Sequence, residues 1–177
     1  MYFNSFPVIP YDSKGDLNFK DVTNLLRRVG LRTKLKSNTL LYDTYDVKEG
    51  ETPEMIAHKL YGDPELHWII LLVNDITDRY HQWPMSGIQF LSYINDKYSN
   101  VDAIHHYEST QTSGDTKVKI EVVNDVDENA YTGLTPITNR EFEESEQDKR
   151  RKIRLVDPSF IEQFIDEFKK LIGETAI

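Results

Sequence analysis

Residues able to do chemistry are plentiful in this chain, but few stand at the spacings that chemistry requires. His105 and His106 are adjacent, and neighbouring side chains in a strand face opposite ways, so the pair is not expected to share a metal ion. Asp125, Asp127 and Asn129 alternate as in a calcium loop. Ala130, however, stands where the sharp turn needs glycine, and Pro136 where a bidentate glutamate belongs, so a solvated acidic loop is expected. The 30 carboxylates among 177 residues guarantee that some acids lie close in space, but nothing selects a glycosidase pair. G-x-S-x-G and H-E-x-x-H are absent, and the glycines are isolated from one another, which removes a phosphate-cradling loop. With no cysteine there is no disulfide framework, thiolate metal site or sulfur nucleophile, and synthesis in a reducing compartment is compatible with this. Neither catalysis nor a metal, cofactor or small-molecule substrate is expected.

Contact chemistry remains. A net charge of -9 opposes nucleic acid as the main partner, because phosphate binding relies on clustered Lys and Arg. The local exception is Arg27, Arg28, Arg32, Lys34 and Lys36. They read either as the cationic end of a helix, complementing its dipole, or as a docking patch for an acidic protein surface. Tyr42, Tyr80, Trp83 and Tyr131 are amphipathic aromatics able to anchor an interface or to pack in a core. Phe164 and Phe168 belong to an apolar stripe, Phe160, Ile161, Phe164, Ile165, Phe168, Leu171 and Ile172, that would be an aggregation hazard if left in water. Candidate interface residues are therefore Arg27, Arg28, Tyr42, Tyr80, Trp83, Tyr131, Phe164 and Phe168.

The elements that must position these residues follow from punctuation and periodicity. Pro7, Pro10 and Gly15 with scattered aromatics suggest an extended arm, and Val22, Leu25, Leu26 and Val29 predict an amphipathic helix from Leu17 to about Val29. Tyr45 and Val47 alternate with polar neighbours as a strand should, and Gly50 closes it. Thr52-Pro53 then starts one helix, which ends at Tyr61-Gly62, and Asp63-Pro64 starts the next. That second helix, from Trp68 to Val73, is apolar all round and needs cover on several sides. Trp68, Ile56 and Leu71 are expected in the core. Ser86 opens a helix with Phe90, Leu91, Ile94 and Tyr98 on one face, ending near Asn100. Ala103 to Glu108 and Lys117 to Val123 read as a hairpin, followed by a polar loop from about Asn124 to Thr135. Thr138 and Glu141 form a capping box before a charged helix with little to bury alone. Ile153 and Leu155 alternate with Arg154 as a short strand would. Asp157-Pro158-Ser159 begins the last helix, with Ser159 and Glu162 spaced as another box. The first twenty residues lack the basic start and apolar run of a secretion signal, and no window approaches the roughly 20 apolar residues of a membrane span.

The stretch carrying Tyr45, Val47, Gly50, Glu51, Thr52, Ile56 and Ala57 resembles a LysM fold, a strand-helix-helix-strand module known for binding peptidoglycan glycans. Asn74 fits the end of its second helix, while Trp83-Pro84 stands where a closing strand is expected. From about Leu41 to the C-terminus, YGDPELHWIILLVND, Trp83-Pro84-Met85-Ser86 and His106-Tyr107-Glu108 are similar to the LysM-containing baseplate wedge subunit family of contractile-tailed bacteriophages. The expected architecture is α+β: an arm and helix in 1–40, a LysM-like module in 41–85, a helix and β-hairpin in 86–132 and a helical region in 133–177.

The resemblance implies a structural, non-enzymatic virion protein of the tail baseplate, assembled in the host cytoplasm. It would join neighbouring wedges through other wedge proteins, with neither nucleic acid nor membrane as a partner. The LysM likeness alone implies a glycan-binding module instead. A peptidoglycan-degrading enzyme with a LysM targeting domain lacks a catalytic domain of sufficient size. An uninterrupted apolar surface from Trp68 to Val73 suits protein packing better than a sugar groove, which needs polar groups and aromatics on its rim.

Overall fold

The computed structural model describes residues 2–31, 39–110, 119–122 and 134–174. They belong to two compact units, one formed by residues 1–83 with 152–177 and the other by 84–151.

The first unit begins with a 3₁₀ turn at Tyr2–Ser5 and an antiparallel pair, β1 (Val8–Tyr11) and β2 (Lys20–Thr23), in which Ile9 faces Val22. The helix expected from Leu17 to Val29 is therefore not formed. Asn18, Asp21, Val22, Thr23 and Asn24 are poor helix formers, and the alternation of Lys20 and Val22 with Asp21 and Thr23 suits a strand. The arm is a hairpin instead. Its connection is organised by Asp12, whose carboxylate accepts the backbone N–H groups of Lys14, Gly15 and Leu17 at 3.0, 2.8 and 2.8 Å.

Strand β3 (Tyr42–Asp46) leads through Gly50, at φ +77°, into helix α1 (Pro53–Tyr61). Thr52 caps that helix by accepting from the Met55 N–H, and Gly62 ends it in the left-handed conformation. The side chain of Asp63 accepts from the Glu65 N–H at 2.8 Å and starts a 3₁₀ turn that runs into helix α2 (His67–Val73). A short helix α3 (Arg79–Gln82) follows. Among the described residues the strand paired with β3 is β7 (Lys152–Val156), which runs antiparallel to it with Tyr45 opposite Ile153. Asn74, at the end of α2, closes the outer edge of β7. Its amide donates to the Arg154 carbonyl and accepts from the Arg154 N–H, both at 2.8 Å, and donates to the Ile70 carbonyl as well.

Three apolar clusters fill this unit, and α2 feeds each of them. Ile70 packs with Val47, Ile56, Ala57, Trp83, Ile153 and Leu155. Ile69 and Val73 meet Val156 and Ile161, while Trp68 and Leu72 lie against Phe6, Phe168 and Ile172. The last two side chains come from helix α6 (Ile161–Gly173), whose lead-in is capped by Asp157 rather than by the expected Ser159 box; the Asp157 carboxylate accepts from the Ser159 N–H at 2.8 Å. Tyr61 donates its hydroxyl to the Val156 carbonyl at 3.0 Å, and burial pushes its pKa up to about 12.

The second unit contains helix α4 (Gly87–Lys97), strands β4 (Ile104–Thr110), β5 (Lys119–Val122) and β6 (Thr135–Thr138), and helix α5 (Asn139–Arg151). The sheet order is β5-β4-β6, antiparallel throughout. Ser86 and Gln89 form a capping box on α4, and Thr138 with Glu141 forms the expected one on α5. The charged helix α5 does bury a stripe, but a polar one: Asn139, Glu143 and Gln147, one turn apart. Asn139 donates to the Asn100 carbonyl at 2.9 Å, and Gln147 accepts from the Met85 N–H at 2.9 Å. Glu143, only 2% exposed, accepts from Lys97 and from the Tyr98 hydroxyl at 2.8 Å. Ile94 is the buried hydrophobic residue among the described residues of this unit.

Two stability predictions follow from these contacts. Asn74→Ala leaves the Arg154 backbone groups unsatisfied and is expected to lower unfolding free energy by about 2–3 kcal/mol, read from denaturant melts. For Glu143, desolvation raises the pKa, but the hydrogen bonds from Lys97 and Tyr98 and the Lys97 and Arg150 charges prevail, so it lies below the ordinary 4.5. The contribution of a depressed carboxylate is complete above its unfolded pKa and is lost as pH falls through the folded one. Glu143→Gln should therefore flatten the loss of stability on acidification below about pH 4.5. Parallel curves for parent and variant would show that Glu143 does not govern that loss.

Candidate protein–protein interface

The expected interface residues are not all at the surface. Trp83 is 6% exposed and sits in the core, its indole N–H donating to the Glu51 carbonyl at 2.9 Å. A neighbouring ion pair, Arg79 with Glu54 at 2.8 Å, joins the same α3 segment to α1. Phe168 is buried too, its ring centroid 4.4 Å from that of Trp68 and 5.4 Å from that of Tyr2. The apolar stripe of α6 is thus largely spent inside its own chain: Ile161, Phe168 and Ile172 are buried, and Phe164 and Ile165 half-buried. The stripe is therefore divided: Phe168 is enclosed by its own chain, and Phe164 stays partly accessible. Amphipathic helices next to an apolar helix bury against it first, because no association entropy opposes an intramolecular contact.

Tyr42 is half-buried on β3 beneath the Arg154 guanidinium, which lies 5.5 Å from the ring centroid. Tyr80, on α3, is 87% exposed. Arg28 is exposed and Arg27 half-buried, beyond β2 and not on a helix. Tyr131 lies outside the described residues. Phe164 lines two shallow grooves that flank α6, one with Val29, Leu31, Leu72 and Leu171, the other with Leu41, Tyr42 and Phe160.

Sequence reasoning missed the richest surface. Phe3, Val8, Tyr11, Leu17, Phe19, Val22, Leu25 and Leu26 are all exposed, Leu17 by 82% and Leu26 by 91%. They cluster on the hairpin and its flanks, where every β2 side chain is exposed. A lone two-stranded hairpin is marginal in water, and its exposed apolar residues make it a contact candidate. The usable signal was the two-residue alternation in Lys20 to Thr23, overridden by the helical spacing of Val22, Leu25 and Leu26.

The histidine expectation is corrected as well. A register irregularity in β4 between Ile104 and His106 turns both imidazoles the same way, and their Nδ1 atoms are 2.9 Å apart. His105 stacks on Phe142 at 4.0 Å, and buried His106 has its Nε2 3.6 Å from Glu108. No group of three or more His, Cys, Asp or Glu among the described residues is placed to hold a metal ion.

A unit with an apolar core and a hairpin rich in exposed apolar side chains fits the class of proteins that act through contacts with other proteins. Residues 1–114 match the family model described as Base plate wedge protein 53, and the chain belongs to that family of phage baseplate wedge proteins. It is also similar to Baseplate wedge protein gp53 of Enterobacteria phage T4, with 25% identity over 148 residues, covering 75% of this chain and 74% of the relative. The protein is accordingly a structural component of a phage tail baseplate wedge.

The placement of the aromatics predicts opposite outcomes for two substitutions. Phe168→Ser should cost about 3–5 kcal/mol, as large-to-small changes of buried aromatics do. Tyr80→Ser should stay within about 0.5 kcal/mol of the parent. Equal melting curves for the two variants would mean that α6 is not sealed against α2.

Proposed function

We propose that this chain joins neighbouring wedges of the tail baseplate by protein-protein contacts made during assembly, with its N-terminal hairpin as the principal grip. One observation carries the reading: eight of the fifteen exposed large apolar residues among the described residues lie in residues 3–26, on the hairpin and its flanks, and the other seven are spread over the rest of the chain. The rest of that unit supplies a rigid base. In this reading β3, α1, α2 and β7 form a LysM-type module whose closing strand has been displaced by insertion of residues 84–151. The antiparallel β3–β7 pair flanking two helices supports it. The partners are other wedge proteins, the site of action is the virion, assembly takes place in the host cytoplasm, and no chemical reaction is involved.

A glycan-binding role is less favoured. The turn from β3 to α1 is covered by the Trp83 indole and tied down by the Arg79–Glu54 pair, and the two grooves along α6 are walled mainly by apolar side chains. Exposed Arg28 and Tyr80, together with half-buried Phe164, are secondary contact candidates.

The test is a double substitution, Leu25→Asp with Leu26→Asp, in the full chain co-expressed with the other wedge proteins of the same phage. Surface changes of this kind keep stability within about 0.5 kcal/mol, so the expected result is an unchanged melting curve with loss of the chain from wedge assemblies separated by gradient sedimentation. Normal incorporation of the variant would remove the hairpin from the interface. Saturable binding of purified cell-wall glycan fragments by the parent would move the glycan reading ahead.

A further inference from the structure

The two edges of the hairpin are not equivalent. The Asn24 N–H donates to the Pro7 carbonyl at 2.8 Å, extending the ladder in which Ile9 faces Val22 and Tyr11 faces Lys20. Antiparallel pairs alternate between those that exchange hydrogen bonds and those that do not. Ile9–Val22 and Tyr11–Lys20 therefore exchange bonds, and the backbone groups of Val8, Pro10, Asp21 and Thr23 are directed outwards. On the outer edge of β1 one of the two positions is Pro10, which has no N–H to offer. The outer edge of β2 carries complete N–H and C=O pairs at Asp21 and Thr23.

The side chains point to the same use. Ile9, Tyr11 and Val22 share one face of the pair with Lys20, an apolar strip that an added strand would widen. At the turn, Leu17 is held at φ +62° by its N–H bond to Asp12, a backbone conformation unfavourable for leucine, and its side chain is almost wholly exposed. Charge narrows the partner. Residues 1–38 hold seven basic and three acidic side chains, a net of +4, whereas residues 39–177 hold 14 against 27, a net of -13. The hairpin's own residues 8–23 hold two basic and three acidic side chains, so the cations available beside β2 are those that follow it in sequence, Arg27 and Arg28 first. Two copies, each at -9, repel at long range, which disfavours self-pairing.

We propose that the free edge of β2 is a strand-addition site, filled in the assembled wedge by an extended, acidic segment of a different wedge protein with apolar residues at alternate positions. The proposal rests on the wedge-joining reading and specifies how the hairpin makes its contact. Main-chain hydrogen bonds to Asp21 and Thr23 supply register, alternate apolar side chains extend the Ile9, Tyr11 and Val22 face, and Arg27 and Arg28 meet the partner's acids.

The test compares residue-resolved amide hydrogen exchange of the full chain alone with that of the chain in wedges reconstituted from the same phage's co-expressed wedge proteins. The Asp21 and Thr23 amides should slow by at least about 100-fold on incorporation, while the Val8 amide on the opposite edge does not change. Thr23→Pro removes one outward donor and should spare the hairpin, as Pro10 does in β1. It should lower incorporation about tenfold, the equivalent of 1.4 kcal/mol, with the Val22 amide remaining protected, whereas Thr23→Ala should incorporate normally. Unchanged exchange at Asp21 and Thr23 in wedges that contain the chain would overturn strand addition and leave the wedge-joining reading standing. Protection that appears in the purified chain as concentration rises would assign the edge to a second copy and overturn it too. Failure of the parent chain to enter the wedges would instead sink the wedge-joining reading itself.

Discussion

Helix α2 has almost no polar face, and a helix of that kind must be enclosed on all its sides. Much of the first unit can be understood as the means of enclosing it. Strands β3 and β7 with helix α1 cover Ile70, while Val156 and Ile161 cover Ile69 and Val73. The N-terminal 3₁₀ turn and α6 close over Trp68 and Leu72 through Phe6, Phe168 and Ile172. Fully burying one large apolar side chain is worth about 1.5–3 kcal/mol, so Ile69, Ile70 and Val73, buried outright with Trp68, Leu71 and Leu72 half-buried around them, are a large contribution to the unit's stability. The same packing also explains why Phe168 and Ile172 of α6 are not available to a partner, whereas half-buried Phe164 remains partly accessible.

The second unit is held together differently. Its helix α5 turns Asn139, Glu143 and Gln147 inwards; Asn139 and the Gln147 Oε1 meet backbone groups and Glu143 meets the Lys97–Tyr98 pair, while the buried Gln147 Nε2 has no hydrogen-bond partner among the described residues. Hydrogen-bonded polar contacts contribute less net stability than apolar burial, but they are intolerant of mispairing, since an unsatisfied buried group costs more than the bond provides. Such a stripe specifies one alignment of the helix against the chain beneath it. The two units therefore embody two strategies: bulk apolar burial in one, and geometric matching of polar groups in the other.

Much of this was legible in the residues, wherever the cause is local. Thr52-Pro53, Gly62, Asp63-Pro64, Ser86 and the Thr138–Glu141 box announce helix ends because a cap acts within one turn. The all-round hydrophobicity from Trp68 to Val73 announced a buried helix, and Tyr45 and Ile153 each announced a strand. That those two strands pair with one another was hidden, because nothing in a strand's own residues names a partner so far along the chain. The histidines were misjudged because a bulge cancels the alternation on which the expectation rested. The hairpin was misjudged because Val22, Leu25, Leu26 and Val29 satisfy a helical period although Lys20 to Thr23 satisfy a strand period. Interface placement suffered for a related reason: an aromatic residue such as Trp83 or Phe168 serves a core and a contact surface equally well, and only tertiary packing decides between them.

The pairing of β3 with β7 also bears on how the polypeptide is made. Residues 47–151 must all leave the ribosome before Tyr45 can meet Ile153, and α6 emerges later still. Throughout that interval the nascent chain carries a naked hydrophobic helix with nothing to shelter it, so early termination would release fragments prone to clump. Completion of synthesis and burial of the core are thereby coupled, and only a finished molecule is fit to be incorporated.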